Sequence, residues 1–268
     1  MKLYKLKTVT RRDAIFMIGA LGGSIMFPFS STASSKMVSD RINEITNGKG
    51  AEESDLFLDL PEIAENGNQV KVSFEVDSPM TDKDYVKEVY IFADGNPAPN
   101  VAKFTFTPAL GSCSATTRIR LSKTQNVHLL AAYSNGKYAT TKSKVKVTIG
   151  GCGGWFKEYK MSKIKPRGKV PKKAAIDEIV EIKTLIRHPM HSGRMKDKNG
   201  KIIPKRIINK FVVKFNNEEV FNMNLEPSIS TNPYIAFPFK AKVSGTFDFQ
   251  WIDDNGDKYS MKRKMTVA

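Results

Sequence analysis

From Gln69 onward, apolar and polar positions alternate: Val70, Val72, Phe74 and Val76 fall on one side of the backbone, Lys71, Ser73 and Glu75 on the other. A period of two buries one face of a strand and wets the other. The same pattern predicts strands over residues 86–93, 102–107, 116–121, 127–132 and 144–149, separated by turn signals such as Asp94-Gly95 and Asn135-Gly136. It lapses over 150–176, where glycines give way to Trp155-Phe156 and a run of lysines. A second series follows at 179–187, 207–215, 220–225, 234–241, 246–251 and 259–267, clearest in Phe211, Val213, Phe215 and in Phe247, Phe249, Trp251. Short strands with frequent turns predict an all-β protein of two immunoglobulin-like β-sandwich domains, 34–149 and 177–268, joined by a glycine-rich, basic arm over 150–176. A pair of small barrels is the alternative. One short helix is expected over 36–48, with Ser39 or Asp40 as N-cap and Asn47-Gly48 as stop.

The head of the chain reads as an address. Lys2, Lys5 and Lys7 precede Thr10-Arg11-Arg12-Asp13, then an apolar stretch over 15–29, then small residues at Thr32-Ala33-Ser34. That order is the order of a twin-arginine export signal, here residues 1–33. The apolar stretch is short for a membrane span of about 20 residues. Cleavage and a periplasmic location are expected, with no stable membrane span.

Export changes how the charge is read. The net charge is +16, and +12 remains once the signal is removed. Basic chains most often meet nucleic acid. An exported one rarely does, and neither an RNA-binding aromatic signature nor zinc-finger spacing is present, so anionic ligands or acidic partners are expected instead. Two cysteines, Cys113 and Cys152, enter a compartment where disulfides persist. Their settings differ: Cys113 sits in Leu110-Gly111-Ser112-Cys113-Ser114, which reads as a loop, and Cys152 lies between Gly150-Gly151 and Gly153-Gly154.

The Cys152 motif is the sharpest chemical feature. Glycines on both sides remove the packing value of a buried cysteine and leave a slender thread with one reactive group. Only a thiolate is a good nucleophile or sulfur acceptor. Lys157, Lys160 and Lys163 follow closely and are candidates for its electrostatic support, or for no more than a solvated linker. None of His128, His188 and His191 is near Cys152 in sequence, and catalytic nucleophiles are held rigidly. The arm therefore reads as one that visits other active sites, with no catalytic residue, metal or cofactor of its own. His188-Pro189-Met190-His191 is a weak metal pattern, more simply two surface histidines in a loop.

Pro61-Glu62-Ile63-Ala64-Glu65-Asn66-Gly67, Asp77-Ser78-Pro79-Met80, Asn96-Pro97-Ala98-Pro99, Thr117-Arg118-Ile119-Arg120-Leu121 and Val147 to Gly154 resemble the SoxY family. Arg187 to Arg194, Ile203-Pro204 and Ser230 to Phe237 resemble the SoxZ family. The resemblance implies a SoxYZ carrier of thiosulfate oxidation. It would hold thiosulfate-derived sulfur on Cys152 and present it to a SoxAX-type c-haem enzyme, a SoxB-type sulfate thiol hydrolase and, where present, a SoxCD-type sulfur dehydrogenase. It also implies that the two halves pack together, the SoxZ-like half serving as scaffold and partner-docking surface. A related possibility is a carrier for a periplasmic quinoprotein dehydrogenase. One departure stands out: in separate SoxY proteins the cysteine motif ends the chain, whereas here Cys152 is tethered on both sides.

Overall fold

The computed structural model describes residues 31–151 and 164–268; residues 1–30 of the expected export signal, Cys152, Gly153, Gly154, Lys157, Lys160 and Lys163 lie outside the described residues. The first half contains helix α1 (Ser31–Ile45) and strands β1 (Glu52–Glu53), β2 (Phe57–Asp59), β3 (Ile63–Asn66), β4 (Val70–Val76), β5 (Val86–Ala93), β6 (Asn100–Phe106), β7 (Cys113–Ile119), β8 (Gln125–Tyr133) and β9 (Tyr138–Ile149). The second contains β10 (Pro166–Lys169), β11 (Lys173–Ala174), β12 (Ile179–Ile186), β13 (Ile208–Phe215), β14 (Glu218–Leu225), β15 (Tyr234–Lys240), β16 (Gly245–Asp253) and β17 (Lys258–Val267). The protein is all-β, of immunoglobulin-like sandwich type.

Its two sandwiches are joined edge to edge in both layers. One sheet runs β1-β9-β8-β5-β6-β14-β13-β16-β17-β11, with β3 also on β9, and the other runs β10-β12-β15-β7-β4-β2. The halves meet where β14 pairs antiparallel with β6, Phe221 opposite Phe106 through Leu225 opposite Ala102, and where β15 pairs with β7 at Ile235–Thr117 and Ala236–Thr116. Pairing in both sheets leaves neither half with an open edge at the seam, the place where unpaired N–H and C=O groups invite aggregation.

The alternation read from the sequence explains the core. Phe74 packs edge-on to Phe104 at 5.0 Å, Phe106 to Phe221 at 5.4 Å, Phe221 stacks on Phe237 at 4.4 Å, and Phe211 lies 4.8 Å from Trp251. These rings form one buried cluster that crosses the seam, and such aromatic contacts add about 0.5–1.5 kcal/mol each beyond area burial.

Three local readings differ from the structure. The helix starts at Ser31, so Ser39 and Asp40 lie inside it and cap nothing; Val38 is buried against Phe92 and Leu130 on the outer face of the sheet. The stop at Asn47-Gly48 is as read, both residues having positive φ, with the Gly48 N–H donating to the Asn43 carbonyl. Cys113 is not in a loop. It begins β7 opposite Val76, is 1% exposed and forms no disulfide, and burial pushes its thiol far above the ordinary range. Finally, the basic stretch expected to stay extended to 176 is strand from Pro166, where β10 pairs with the far end of β12.

Candidate carrier-arm foot at the seam

Strand β9 delivers the chain to Cys152, and its last residues are clamped. The Gly67 N–H donates to the Ile149 carbonyl at 2.7 Å, the Leu121 N–H to the Gly67 carbonyl at 2.8 Å, and the Gly151 N–H to the Leu121 carbonyl at 2.8 Å. Three backbones thus lie against one another without side chains between them. A Cβ on Gly67 would collide with the Leu121 oxygen, one on Gly150 with the Ser122 oxygen, and one on Gly151 with the Gly67 oxygen. Gly150 and Gly151 therefore have a steric reason to be glycine here, separate from any freedom of the arm. Gly151→Ala is expected to destabilise by about 1–3 kcal/mol, the range for forced overpacking, through local release of the foot. Amide hydrogen exchange should show lost protection at Leu121 and Gly151 first; unchanged protection would contradict the clamp.

Beneath this foot the two halves exchange hydrogen bonds around Arg120. This side chain is 6% exposed. Its guanidinium donates to the Met190 carbonyl at 2.8 Å, to Thr231 Oγ1 at 2.7 Å, and to the Pro189 and Pro227 carbonyls at 3.3 Å. Arg120 is thus a first-half cation satisfied largely by second-half oxygens. Asn96 supports it by donating to the Arg120 carbonyl at 2.8 Å and Ser228 Oγ at 3.0 Å, while its own oxygen accepts from Ser122 N and Gln125 Nε2. The Ser230 hydroxyl donates to the Asn68 carbonyl at 2.8 Å. Above lies a cleft of about 190 Å³ whose lining includes Asn68, Arg120, Gly151, Arg194, Ser228 and Thr231 and, among the described residues, no carboxylate.

The histidines are not brought together as a base or metal site. His128 Nε2 lies 3.3 Å from Asp94 Oδ2, and burial draws its pKa down. His188 is fully buried and so is not the surface histidine expected: its Nδ1 accepts from the Met190 N–H at 3.1 Å, and Nε2 has no hydrogen-bond partner among the described residues. Among the described residues no group of three or more His, Cys, Asp and Glu is placed to hold a metal. Burial holds His188 at about 4, against an ordinary 6.5. A folded pKa below the unfolded one means the unfolded chain takes up the proton first, so stability present above 6.5 is lost as pH falls towards 4. The loss is on the order of 3 kcal/mol. Urea unfolding at pH 7 and pH 4.5 should show it in the parent protein and largely not in His188→Asn; equal pH slopes in the two would contradict this reading.

Arg120, Asn96 and Gly67 belonged to runs singled out in the sequence but were given no role there. The signal was present: Asn96-Pro97-Ala98-Pro99, Thr117 to Leu121, Arg187 to Arg194 and Ser230 to Phe237 all converge on this seam. No sequence rule says that they meet.

Two sandwiches fused through both sheets, with Gly150-Gly151 clamped at their seam and Cys152 next in sequence, define a two-part scaffold. Family comparison gives the class: residues 42–152 match the sulfur oxidation protein SoxY and residues 168–264 match the sulphur oxidation protein SoxZ, so the chain belongs to these two families as a fused SoxY–SoxZ protein. Members are non-catalytic carrier and interface proteins of sulfur oxidation. No curated protein matches by sequence. Among solved structures, a superoxide reductase (neelaredoxin) from Ignicoccus hospitalis is 15% identical with a TM-score of 0.32, covering 35% of this chain and 80% of its own. Red sea bream transglutaminase is 12% identical at 0.26, over 90% of this chain and 34% of its own. Neither likeness carries weight for function. No helix among the described residues is long and apolar enough to cross a membrane.

Proposed function

We propose that this protein is a periplasmic carrier holding thiosulfate-derived sulfur covalently on Cys152 and presenting it to partner sulfur-oxidation enzymes. The observation that supports the reading is the clamped foot ending at Gly151, held to both Gly67 and Leu121 at the seam of the halves, which Cys152 follows in sequence. A rigid foot followed by Cys152-Gly153-Gly154 suits a thiol that must be offered to several active sites in turn. The other cysteine does not compete, since Cys113 is buried and its thiol is held protonated. Arg120 and Arg194 line the cleft beside Gly151 with no carboxylate among the described residues there, which favours an anionic cargo.

The chemistry asked of the protein is small. Joining thiosulfate to the Cys152 thiolate forms a sulfur–sulfur bond and releases two electrons, which the c-haem partner accepts. Hydrolysis by the metal-dependent partner then releases sulfate and leaves sulfur on the cysteine. This chain supplies the thiolate and its presentation. The twin-arginine signal over 1–33 accounts for the location. The test is incubation with thiosulfate and the c-haem enzyme followed by intact-mass measurement: one thiosulfate-derived adduct per chain is expected, and an unmodified chain would refute the proposal.

A further inference from the structure

The two described halves differ in charge. Residues 31–151 carry 14 Lys and Arg against 14 Asp and Glu, whereas residues 164–268 carry 21 against 11. The surplus left after removal of the signal therefore lies entirely beyond the foot of the arm, with Lys157, Lys160 and Lys163 against Glu158 supplying the remainder.

Four of those cations line one cleft in the second half. Between β10 and β17 lies an open cleft of about 570 Å³, whose lining includes Lys169, Lys172, Arg263 and Lys264 and, among the described residues, no carboxylate. All four cations are exposed. None has an ion-pair partner among the described residues, whereas nearby Lys262 is matched with Asp248 at 3.5 Å and Lys240 with Asp177 at 3.2 Å. Register makes Arg263 unusual. Met261, Arg263 and Met265 share one face of β17; the methionines are 8% and 2% exposed, and the arginine between them opens to solvent. Gly168 lets β10 settle on Met261, where a Cβ would strike the methionine Cε.

Lysines on edge strands commonly serve only to prevent strand pairing. That role needs neither a cleft nor an inward-register arginine without a counter-charge. We propose that this cleft is a docking surface for the acidic face of a partner protein that comes to the arm. Charge favours this occupant: four exposed cations with no ion-pair partner among the described residues suit an acidic surface, and charge complementarity of this kind acts mainly on encounter rate and orientation. The visitor's identity rests on the carrier reading; the preference for an acidic polypeptide does not.

The test uses the mature chain and fluorescently labelled poly-L-glutamate as probe, followed by anisotropy over a salt series. The variant Lys169→Glu/Lys172→Glu/Arg263→Glu is compared with Lys83→Glu/Lys137→Glu/Lys144→Glu, which changes net charge equally at exposed sites of the first half, and melting curves confirm both folds. Expected is a loss of affinity of roughly tenfold or more for the cleft variant and less than about threefold for the control. Equal losses would overturn the proposal, as would poly-glutamate affinity left intact in the cleft variant while binding to phosphatidylglycerol vesicles disappears. Loading separates the two readings. A parent chain that never accepts sulfur refutes the carrier function and leaves the cleft to the anisotropy result, whereas normal loading with equal rates in both variants refutes the cleft alone.

Discussion

Cys152→Ser is expected to lose covalent sulfur loading completely while retaining the fold. A serine hydroxyl is nearly isosteric, yet it neither ionises to a soft nucleophile near neutral pH nor forms a disulfide-type linkage to thiosulfate sulfur. Strand β9 ends at Ile149 and the clamp ends at Gly151, both before position 152. Cys113→Ser should behave oppositely. It places a hydroxyl in a site that is 1% exposed, so it costs stability, on the order of 1–3 kcal/mol for an unpaired buried polar group, and leaves loading unchanged. Intact mass after exposure to thiosulfate and the c-haem partner, with circular dichroism on the same samples, reads both effects. Full loading of Cys152→Ser would remove the carrier assignment.

The second large effect is expected at the seam. Arg120→Ala removes a guanidinium that serves three carbonyls and a hydroxyl of the second half. Hydrogen bonds to a charged group contribute about 1.5–3 kcal/mol each, but the cleft above admits water to the vacated oxygens, so a net loss on the order of 3 kcal/mol follows. For a chain of this size that corresponds to roughly 6–12 °C in Tm. Arg120→Lys keeps the charge but not the planar fork, and should fall between the two. The manner of unfolding matters as much as the midpoint. Strand pairing crosses the seam in both sheets, and Phe106, Phe221 and Phe237 form one ring cluster, so calorimetry should record a single transition for the parent. Two resolved transitions in the parent would contradict a shared core.

The strands that the sequence made legible are those with a wet and a dry face. Phe247, Phe249 and Trp251 alternate with half-buried neighbours because β16 covers a core on one side only. The strands it concealed are short edge pieces: β1, β3 and β11 pair in parallel with β9 or β17 over two to four residues, and Glu52-Glu53 or Lys173-Ala174 shows no period. For them a distant partner's edge, not the segment's own pattern, supplies the structure. The same division runs through the site. Cys152 announces itself because four neighbouring glycines are locally conspicuous. Arg120 does not, because its acceptors lie 69–111 residues further along the chain. The neutral first half and basic second half likewise became meaningful only when the fold brought Arg263 beside Lys169 and Lys172 along one cleft.

The central claim is that sulfur cargo travels on one cysteine at the seam. The most direct measurement is peptide mapping by mass spectrometry of the parent chain after reaction with thiosulfate and the c-haem enzyme, before and after treatment with a thiol reductant. The account predicts a reductant-sensitive adduct confined to the peptide containing Cys152, with the Cys113 peptide unmodified. An adduct on Cys113, or none on either cysteine while the partner turns over, would contradict it.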